Sequence, residues 1–287
     1  MTRIEKVLVP LDGSDGAEIT LTYALALAGA TGAELTLASV DESGGESANL
    51  YQSYLELLDK RLSETHPNLT GRWQTRLASG KAGDELLRLA GETGADLVVI
   101  SAHGASGKGA AQLGKTASKI LSDITRPVLL IKSAPKAERP LIRRILVPLD
   151  GSGIGQAAVE MAAGLAPAFG AEIHLLQVVE SVRYMPSIDG LGAYTLPIDD
   201  EEIYQEAEAF LGRRADELKE KGQAVVTAVA GGAATEQISR YAEENDIDLI
   251  AMSTHGLSGL SKWVFGSVTQ KLIQYGTLPV LVVKPEE

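Results

Sequence analysis

The chain has 287 residues, which is the length of one large domain or of two domains of ordinary size. Hydrophobic residues make up 45% of it and charged residues 22%, so the composition is that of a folded globular protein and not of a disordered one. The net charge of −12 disfavours a broad surface that neutralises nucleic-acid phosphates. Because the sequence contains no cysteine, disulfides, thiol catalysis and thiolate metal sites are excluded.

No targeting segment is evident in the sequence. The start, MTRIEKVLVP, does not have the charged-then-apolar layout of a signal peptide. The longest weakly polar stretch, residues 19–33, is interrupted by Thr and Gly and is too short to span a bilayer. We therefore expect a cytoplasmic protein without a membrane segment or a nucleic-acid partner.

Short apolar runs alternate with longer amphipathic segments from the start of the chain. The pattern predicts strands over 7–11, 35–40, 97–100 and 128–131, and helices over 17–30, 50–64, 84–92 and 115–124. Uninterrupted Val, Ile and Leu runs are typical of parallel strands that are buried on both faces. The alternation predicts an open α/β sheet with helices on both faces, and any ligand site beyond the carboxyl ends of its strands.

The sequence contains two copies of one unit. LVPLDGS occurs at 8–14 and again at 146–152, which is 138 residues later. DLVVISAHG at 96–104 corresponds to DLIAMSTHG at 248–256, and this pair is 152 residues apart. The difference of 14 residues predicts an insertion in the second copy, within the Pro- and Gly-containing stretch 183–200, which we interpret as a loop. We expect a first repeat of residues 1–138 and a second repeat of residues 139–287, joined by the linker 133–140.

A glycine-containing loop follows one strand of each copy. In the second copy it is Ser253-Thr-His-Gly256, nine residues, then Gly266-Ser267 at the start of a helix. In the first copy it is Ser101-Ala-His-Gly104, nine residues, then Gly114-Lys115. Glycine permits close approach of the backbone, and the free N–H groups and dipole at a helix start favour an anion. The arrangement predicts a phosphate site in each repeat.

These motifs resemble those of the universal stress protein family in its tandem two-domain form. The family pattern is Gly-x2-Gly-x9-Gly-(Ser/Thr) after the fourth strand, together with an early Val-Pro-x-Asp. The second copy is similar to it, with Ser253-x2-Gly256-x9-Gly266-Ser267 and Val147-Pro148-Leu149-Asp150. The resemblance implies two tandem open, doubly wound, parallel five-stranded sheets, Rossmann-like and similar to the adenine nucleotide alpha hydrolases. It also implies binding of ATP, or of AMP or ADP, with Mg²⁺ or Mn²⁺ on the phosphates.

The resemblance carries the family's nucleotide contacts onto matching positions of both repeats. Those of the second repeat are Pro148, Asp150, Val178, Ser253, Thr254, His255, Gly256, Leu257, Ser258, Gly259, Gly266, Ser267, Val268 and Thr269. Those of the first repeat are Pro10, Asp12, Val40, Ser101, Ala102, His103, Gly104, Ala105, Ser106, Gly107, Gly114, Lys115, Thr116 and Ala117.

The first repeat departs from the family pattern at Lys115, which replaces Ser or Thr. The ammonium group either pairs with a phosphate or alters the pocket by its bulk. Both repeats also have Ser in place of the first Gly, which is a milder change because Ser is small and can donate a hydrogen bond.

Simpler interpretations compete at several positions. Residues 109–116, GAAQLGKT, match the Walker A pattern, but they do not begin directly after a strand, and the second copy lacks the pattern. Asp12 and Asp150 also suit helix capping at a Gly-Ser turn. His103 and His255 are more typical of loop-shaping hydrogen bonds than of a general base.

The expected function is that of a stress-response regulator that binds ATP. In the family the last strand of each domain pairs across a two-fold axis, so the resemblance implies an intrachain pseudo-dimer and allows a homodimer. Two alternatives stay open. One is a weak enzyme that hydrolyses ATP, and the other is a nucleotide-free interaction or chaperone-like protein.

Overall fold

The computed structural model describes residues 4–104, 113–132, 141–179, 182–186, 193–197, 200–254 and 266–285. Strands and helices alternate through the first repeat: β1 (Lys6–Pro10), α1 (Asp15–Thr31), β2 (Glu34–Asp41), α2 (Ala48–Thr65), β3 (Trp73–Ser79), α3 (Ala82–Thr93), β4 (Leu97–Ser101), α4 (Lys115–Asp123) and β5 (Val128–Ile131). The second repeat follows the same order with one addition: β6 (Arg144–Leu149), α5 (Gln156–Phe169), β7 (Glu172–Val179), β8 (Val182–Pro186), β9 (Ala193–Pro197), α6 (Asp200–Glu220), β10 (Val225–Gly231), α7 (Ala234–Glu244), β11 (Leu249–Ser253), α8 (Ser267–Tyr275) and β12 (Val280–Val283).

Each repeat forms a parallel five-stranded sheet with its first strand in the centre. The strand order is β3-β2-β1-β4-β5 in the first repeat and β10-β7-β6-β11-β12 in the second. Helices cover both faces, so the strands in the middle are buried on both sides, and all four residues of β5 and of β12 are buried. The predicted α/β class with two doubly wound sheets is confirmed.

Three apolar clusters hold the layers together. One extends over a single face of both sheets and includes side chains of α1, α2, α5 and α6. The other two lie on the opposite face, under α3 and α4 in the first repeat and under α7 and α8 in the second. Burying each Val or Leu side chain of these clusters contributes about 1.5–3 kcal/mol before the loss of chain entropy is counted.

The two sheets join edge to edge. β5 pairs with β12 in the antiparallel direction, with Leu129 opposite Leu281, so the ten strands form one continuous sheet. Lys132, directly after β5, donates from Nζ to the carbonyl oxygens of Leu272 (2.6 Å) and Gly276 (2.8 Å) at the end of α8. Burial lowers the pKa of Lys132 to about 8. A side chain of the first repeat thus caps a helix of the second repeat, adding to the hydrogen bond that the N–H of Gly276 already donates to the carbonyl oxygen of Leu272 (3.0 Å).

The insertion of the second repeat differs from the predicted loop. Residues 182–186 and 193–197 form an antiparallel β-hairpin, β8–β9, in which Val182 is opposite Pro197. The segments VRYMP and AYTLP are rich in residues that favour strands, and the Pro and Gly residues that suggested a loop fall at the strand ends or between them.

Candidate functional site

The predicted site residues that the structure describes lie at the carboxyl edge of each sheet, where parallel strands end together. In the first repeat Pro10 is opposite Ala38, and the chain continues from Leu11, whose N–H donates to the carbonyl oxygen of Ala38. The neighbouring strand β4 ends at Ser101 on the other side of β1. The loops after β1, β2 and β4 therefore meet at one edge, beside the point where the strand order reverses.

The turn after β1 is held by its aspartate. Oδ1 of Asp12 accepts hydrogen bonds from the backbone N–H (3.0 Å) and hydroxyl (2.5 Å) of Ser14. Ser14 is the residue that caps α1, because its Oγ accepts from the N–H of Ala17. Gly13 has φ 78°, a left-handed conformation that favours glycine. Asp12 thus supports the cap without being the cap itself.

The loop after β4 lies against that turn. Ser101 Oγ donates to the carbonyl oxygen of His103 (2.6 Å), which fixes the first bend. A Cβ added at Gly104 would approach Oδ2 of Asp12 closer than 3.0 Å, and one added at Gly16 would lie 3.3 Å from the carbonyl oxygen of His103. Glycine at position 104 lets the loop touch the aspartate at the end of β1.

The first residues of α4 complete this arrangement. The N–H of Gly114 donates to the carbonyl oxygen of Ala102 (2.8 Å), so the helix begins against the loop after β4. A Cβ on Gly114 would lie 3.4 Å from that same oxygen. Lys115 is exposed and Ala117 is buried. The sequence motif is therefore assembled in space, with Asp12, Gly104 and the start of α4 side by side.

His103 has an imidazole whose environment was not predicted. Its Nε2 is buried and has no hydrogen-bond partner among the residues that the structure describes. The loop is shaped by the backbone of His103 and by Ser101, whose Oγ also accepts from the N–H of His103 (3.3 Å). The hydrogen bonds that shape the loop therefore join the Ser101 hydroxyl to the main chain of His103, and the imidazole Nε2 takes no part in them.

A second aspartate, at the end of β2, was not singled out by the motifs. Asp41 is buried and accepts hydrogen bonds from the N–H (2.9 Å) and hydroxyl (2.5 Å) of Ser43 and from the N–H of Gly45 (2.8 Å). Chiefly the Ser43 hydrogen bonds hold the pKa of Asp41 below its ordinary value. The position just after an apolar strand, within Asp-x-Ser, resembles the Asp12-x-Ser14 turn and could have indicated it.

Tyr51, in the first turn of α2, lies near this acidic part of the edge. Burial is the main cause of its raised pKa, and the carboxylates of Asp12, Asp41 and Glu42 raise it further. The first repeat therefore gathers three carboxylates around the end of β1 and β2.

The second repeat reproduces the turn after its first strand. Asp150 Oδ1 accepts from the N–H (2.9 Å) and hydroxyl (2.5 Å) of Ser152, and Gly151 has φ 80°. Ser253, at the end of β11, makes a different hydrogen bond from Ser101, which bonds within its own loop. The Oγ of Ser253 accepts from the N–H of Ala158 in the first turn of α5 (3.0 Å), so this serine caps a helix.

The other described residues of the second site surround this turn. Thr254 and Thr269 are buried, Pro148 and Val178 are half-buried, and Ser267 is exposed at the start of α8. Gln177, which no motif singled out, lies opposite Leu149 in the β6–β7 pairing and points its amide towards Gly151. The remaining predicted site residues lie outside the described residues: Ala105, Ser106, Gly107, His255, Gly256, Leu257, Ser258 and Gly259.

Two surface depressions lie away from these edges. One of about 550 Å³ runs between α1 and α2 and is lined mainly by apolar side chains, including Leu21, Leu25 and Leu62. A smaller one of about 200 Å³ lies at the amino edge of the first sheet, beside Lys6 and Glu34. Neither contains a predicted site residue.

A buried polar cluster lies at the opposite edge of the second sheet. The ring nitrogens of His174 are 2.9 Å from the Tyr241 hydroxyl and 3.0 Å from Oε2 of Glu172. Burial lowers the pKa of His174, against the effect of Glu172, which raises it. At the aligned position the first repeat has Thr36, so this cluster belongs to the second repeat alone.

In the described part of the chain, no three His, Asp or Glu side chains are grouped so that they could hold a metal ion. No helix described there is long and apolar enough to cross a membrane.

Comparison with known proteins establishes the family. The sequence profile of the universal stress protein family matches residues 3–132 and again 141–284, so the chain belongs to that family. Universal stress protein YxiE of Bacillus subtilis is 32% identical over 148 residues, which are 50% of this chain and 100% of that protein. Universal stress protein Slr1230 of Synechocystis sp. is 25% identical over an alignment of 311 residues, which covers 98% of this chain and 100% of that protein.

A solved structure shows the same fold along the whole chain. It is a universal stress protein from Archaeoglobus fulgidus, with a TM-score of 0.66 and 20% identity, and the match covers 97% of this chain and 98% of that one. Together with the two matches of the family profile, which establish the family, the chain is a universal stress protein with the family domain in tandem.

Proposed function

We propose that this protein binds adenine nucleotides, ATP foremost, at the carboxyl edge of each half of its sheet. The observation that carries the proposal is the meeting of Asp12, Gly104 and the start of α4 in the first repeat. Backbone at Gly104 and the N–H groups of the first turn of α4 converge where a phosphate tail would lie. The Asp12 carboxylate lies where it can accept from a ribose or base donor.

The two sites would hold phosphate by different means. The second repeat has Ser267 and Thr269 at the start of α8, which offer neutral donors. The first repeat has Lys115, whose exposed ammonium group adds a positive charge at the start of α4. Because three carboxylates already surround the first edge, this charge and a divalent cation would offset their repulsion of a phosphate tail.

Mg²⁺ or Mn²⁺ is part of the proposal as a companion of the phosphates. Asp12 and Asp150 carry the carboxylates closest to the motif, and each is oriented by a serine two residues later. The cation would be held mainly by phosphate oxygens and water, which is how proteins usually hold Mg²⁺ on a nucleotide.

The functional units would be residues 1–138 and 139–287, with the β5–β12 pairing as the junction of an intrachain pseudo-dimer. In this proposal nucleotide occupancy is the signal that the protein contributes to a stress response. A homodimer of whole chains would then place four sites in one assembly.

Isothermal titration of the full chain with ATP and Mg²⁺ tests the proposal. We expect two sites in the parent and one in each of the variants Gly114→Val and Gly266→Val, because a side chain there occupies the phosphate approach. Gly212→Val is the matched control, since nothing lies within 4 Å of a Cβ added at that half-buried helical position. Unchanged binding in both site variants contradicts the assigned loops. Robust phosphate release that is lost in Asp150→Asn would instead establish the hydrolase.

A further inference from the structure

We propose that the outer edge of β10 pairs with the β10 of a second copy of this chain, so that two chains share one continuous sheet. β10 is the last strand at one end of the ten-stranded sheet, and among the described strands it pairs with β7 alone. Its other side therefore presents backbone donors and acceptors to whatever lies beyond the sheet. The proposal does not depend on nucleotide binding.

The hydrogen bonds to β7 define which backbone groups of β10 face outward. The carbonyl oxygen of Ala224 accepts from the N–H of Ile173 (2.9 Å), and the N–H of Gly232 donates to the carbonyl oxygen of Val179 (3.0 Å). Because successive residues of a strand direct these groups to alternate sides, the even-numbered residues face β7 and the odd-numbered residues face outward. The outward-facing residues are Val225, Thr227, Val229 and Gly231.

β10 lacks the features by which exposed edge strands avoid pairing. Its sequence, VVTAVAG, contains no charged residue and no proline. The corresponding strand at the other end of the sheet is β3, which has Gln74 and Arg76 where β10 has Val226 and Ala228. Since a charge on an edge strand discourages pairing with another chain, the first repeat has a protected edge and the second has an open one.

The register of β10 favours a second copy over an unrelated segment. Around a two-fold axis at Ala228, antiparallel pairing sets Val225 opposite Gly231, and Thr227 opposite Val229, of the other copy. Each outward-facing residue then meets another outward-facing residue, as the hydrogen-bonded pairs of an antiparallel ladder require. The same mode joins the two repeats, because β5 and β12 are uncharged edge strands that pair in the antiparallel direction. A two-fold contact of this kind closes as a dimer.

Charges on α6, which joins β7 to β10, fit the same arrangement. Because the helix connects two parallel strands, it runs antiparallel to them, and two copies related by the axis would lie antiparallel to each other. The acidic start of one helix, with the exposed Glu201, Glu202 and Glu206, would then lie beside the end of the other, which carries the exposed Arg213 and Lys219. Opposite charges across an interface favour this orientation over others.

Sedimentation of the full chain over a range of concentrations tests the proposal. We expect the parent to form a dimer of twice the 30.2 kDa of one chain. Thr227→Pro removes an outward-facing N–H and leaves the ladder to β7 intact, as proline on an edge strand can. Each copy then loses a hydrogen bond across the interface, so we expect the dimer Kd to rise about tenfold or more.

The matched control is the corresponding threonine at the other end of the sheet. The carbonyl oxygen of Arg72 accepts from the N–H of Leu35 (2.7 Å), so Thr75 of β3 also faces outward. Thr75→Pro makes the same change outside the proposed interface and should leave the Kd unchanged. Thr227→Lys, at an exposed position, places a charge on the open edge and is also expected to weaken the dimer.

A parent that stays monomeric throughout the concentration range overturns the proposal. A dimer that is equally tight in a folded Thr227→Pro and in Thr227→Lys overturns it as well, because the dimer then uses another surface. Assembly that Thr75→Pro weakens contradicts the two-fold pairing, since β3 then takes part in it. Circular dichroism and thermal unfolding identify a proline variant that fails to fold, and Thr227→Lys then decides the question.

Discussion

The contact between Gly104 and Asp12 makes Gly104→Ala a direct test of how the first site is assembled. The added methyl group would approach Oδ2 of Asp12 closer than 3.0 Å, a separation that real Cβ atoms essentially never have. The carboxylate cannot simply rotate away, because Oδ1 is held by the N–H and hydroxyl of Ser14, and Ser14 caps α1. Either the loop moves or the turn after β1 opens.

The loss of stability can be estimated both for a movement of the loop and for an opening of the turn after β1. Inserting a methyl group into a tight contact costs about 1–3 kcal/mol, and losing hydrogen bonds to a charged acceptor costs about 1.5–3 kcal/mol. We expect the first repeat to lose about 1–3 kcal/mol of unfolding free energy and its ATP affinity to fall. The assay is urea unfolding of the full chain followed by ATP titration.

A second glycine of the same repeat supplies the control. Gly91 lies within α3, is exposed, and has nothing within 4 Å of an added Cβ. Because alanine is the better helix former, Gly91→Ala is expected to stabilise by about 0.5–1 kcal/mol. If Gly104→Ala unfolds at the same urea concentration as the parent and binds ATP equally well, the inferred contact between the loop and Asp12 is wrong.

Two further predictions concern the junction and the opposite edge. Lys132→Met removes both hydrogen bonds to α8, so we expect its free energy of unfolding in urea to fall by about 1–3 kcal/mol. Lys221→Met, at an exposed position, is the control and should change that free energy little. Equal unfolding midpoints for the two variants would contradict the capping role of Lys132. Burial lowers the pKa of His174 in the folded protein, so the unfolded chain binds a proton at this imidazole more tightly than the folded chain does. Neutral His174 therefore contributes its full share of stability above pH ~6.5, the ordinary pKa of histidine. That contribution is lost as the pH falls from there through the lower pKa of the folded state. The melting temperature of the parent should therefore fall more steeply below pH 6.5 than that of His174→Gln, and parallel pH profiles would refute this.

The sequence predicts well those elements whose residue pattern is set by one physical requirement, such as burial on both faces of the sheet. Strands such as β4 and β5 are buried on both faces, so their residues are uninterrupted Val, Leu and Ile, and the pattern needs no knowledge of neighbours. The repeated LVPLDGS motif predicts that both halves share one turn, and both halves have it.

The parts that the sequence does not reveal depend on position in the sheet. β3 lies at an outer end of the ten-stranded sheet, and its sequence, WQTRLAS, mixes polar and apolar residues. A half-covered strand of this kind has no uninterrupted apolar run. The Pro and Gly residues of 183–200 predict a loop, although the short segments of the β8–β9 hairpin favour strands.

In the candidate site, too, some contacts can be predicted from the sequence and others cannot. The glycine spacing predicts that the loop after β4 and the start of α4 belong together, since that information is local. The contacts between the loops and the helices they support are not local: Ser253 caps α5, although it lies 95 residues from Ala158, and Gln177 points at Gly151. The only sequence signal for Gln177 is a polar residue that interrupts an apolar strand.

The central claim is that this tandem universal stress protein binds adenine nucleotides. The most direct measurement is to denature the purified full chain, identify the small molecules released, and titrate the ligand-free protein with ATP and Mg²⁺ by calorimetry. We expect a released adenine nucleotide or, from protein that was purified without ligand, saturable ATP binding at two sites of unequal affinity. Release of no nucleotide together with no heat of ATP binding would contradict the claim.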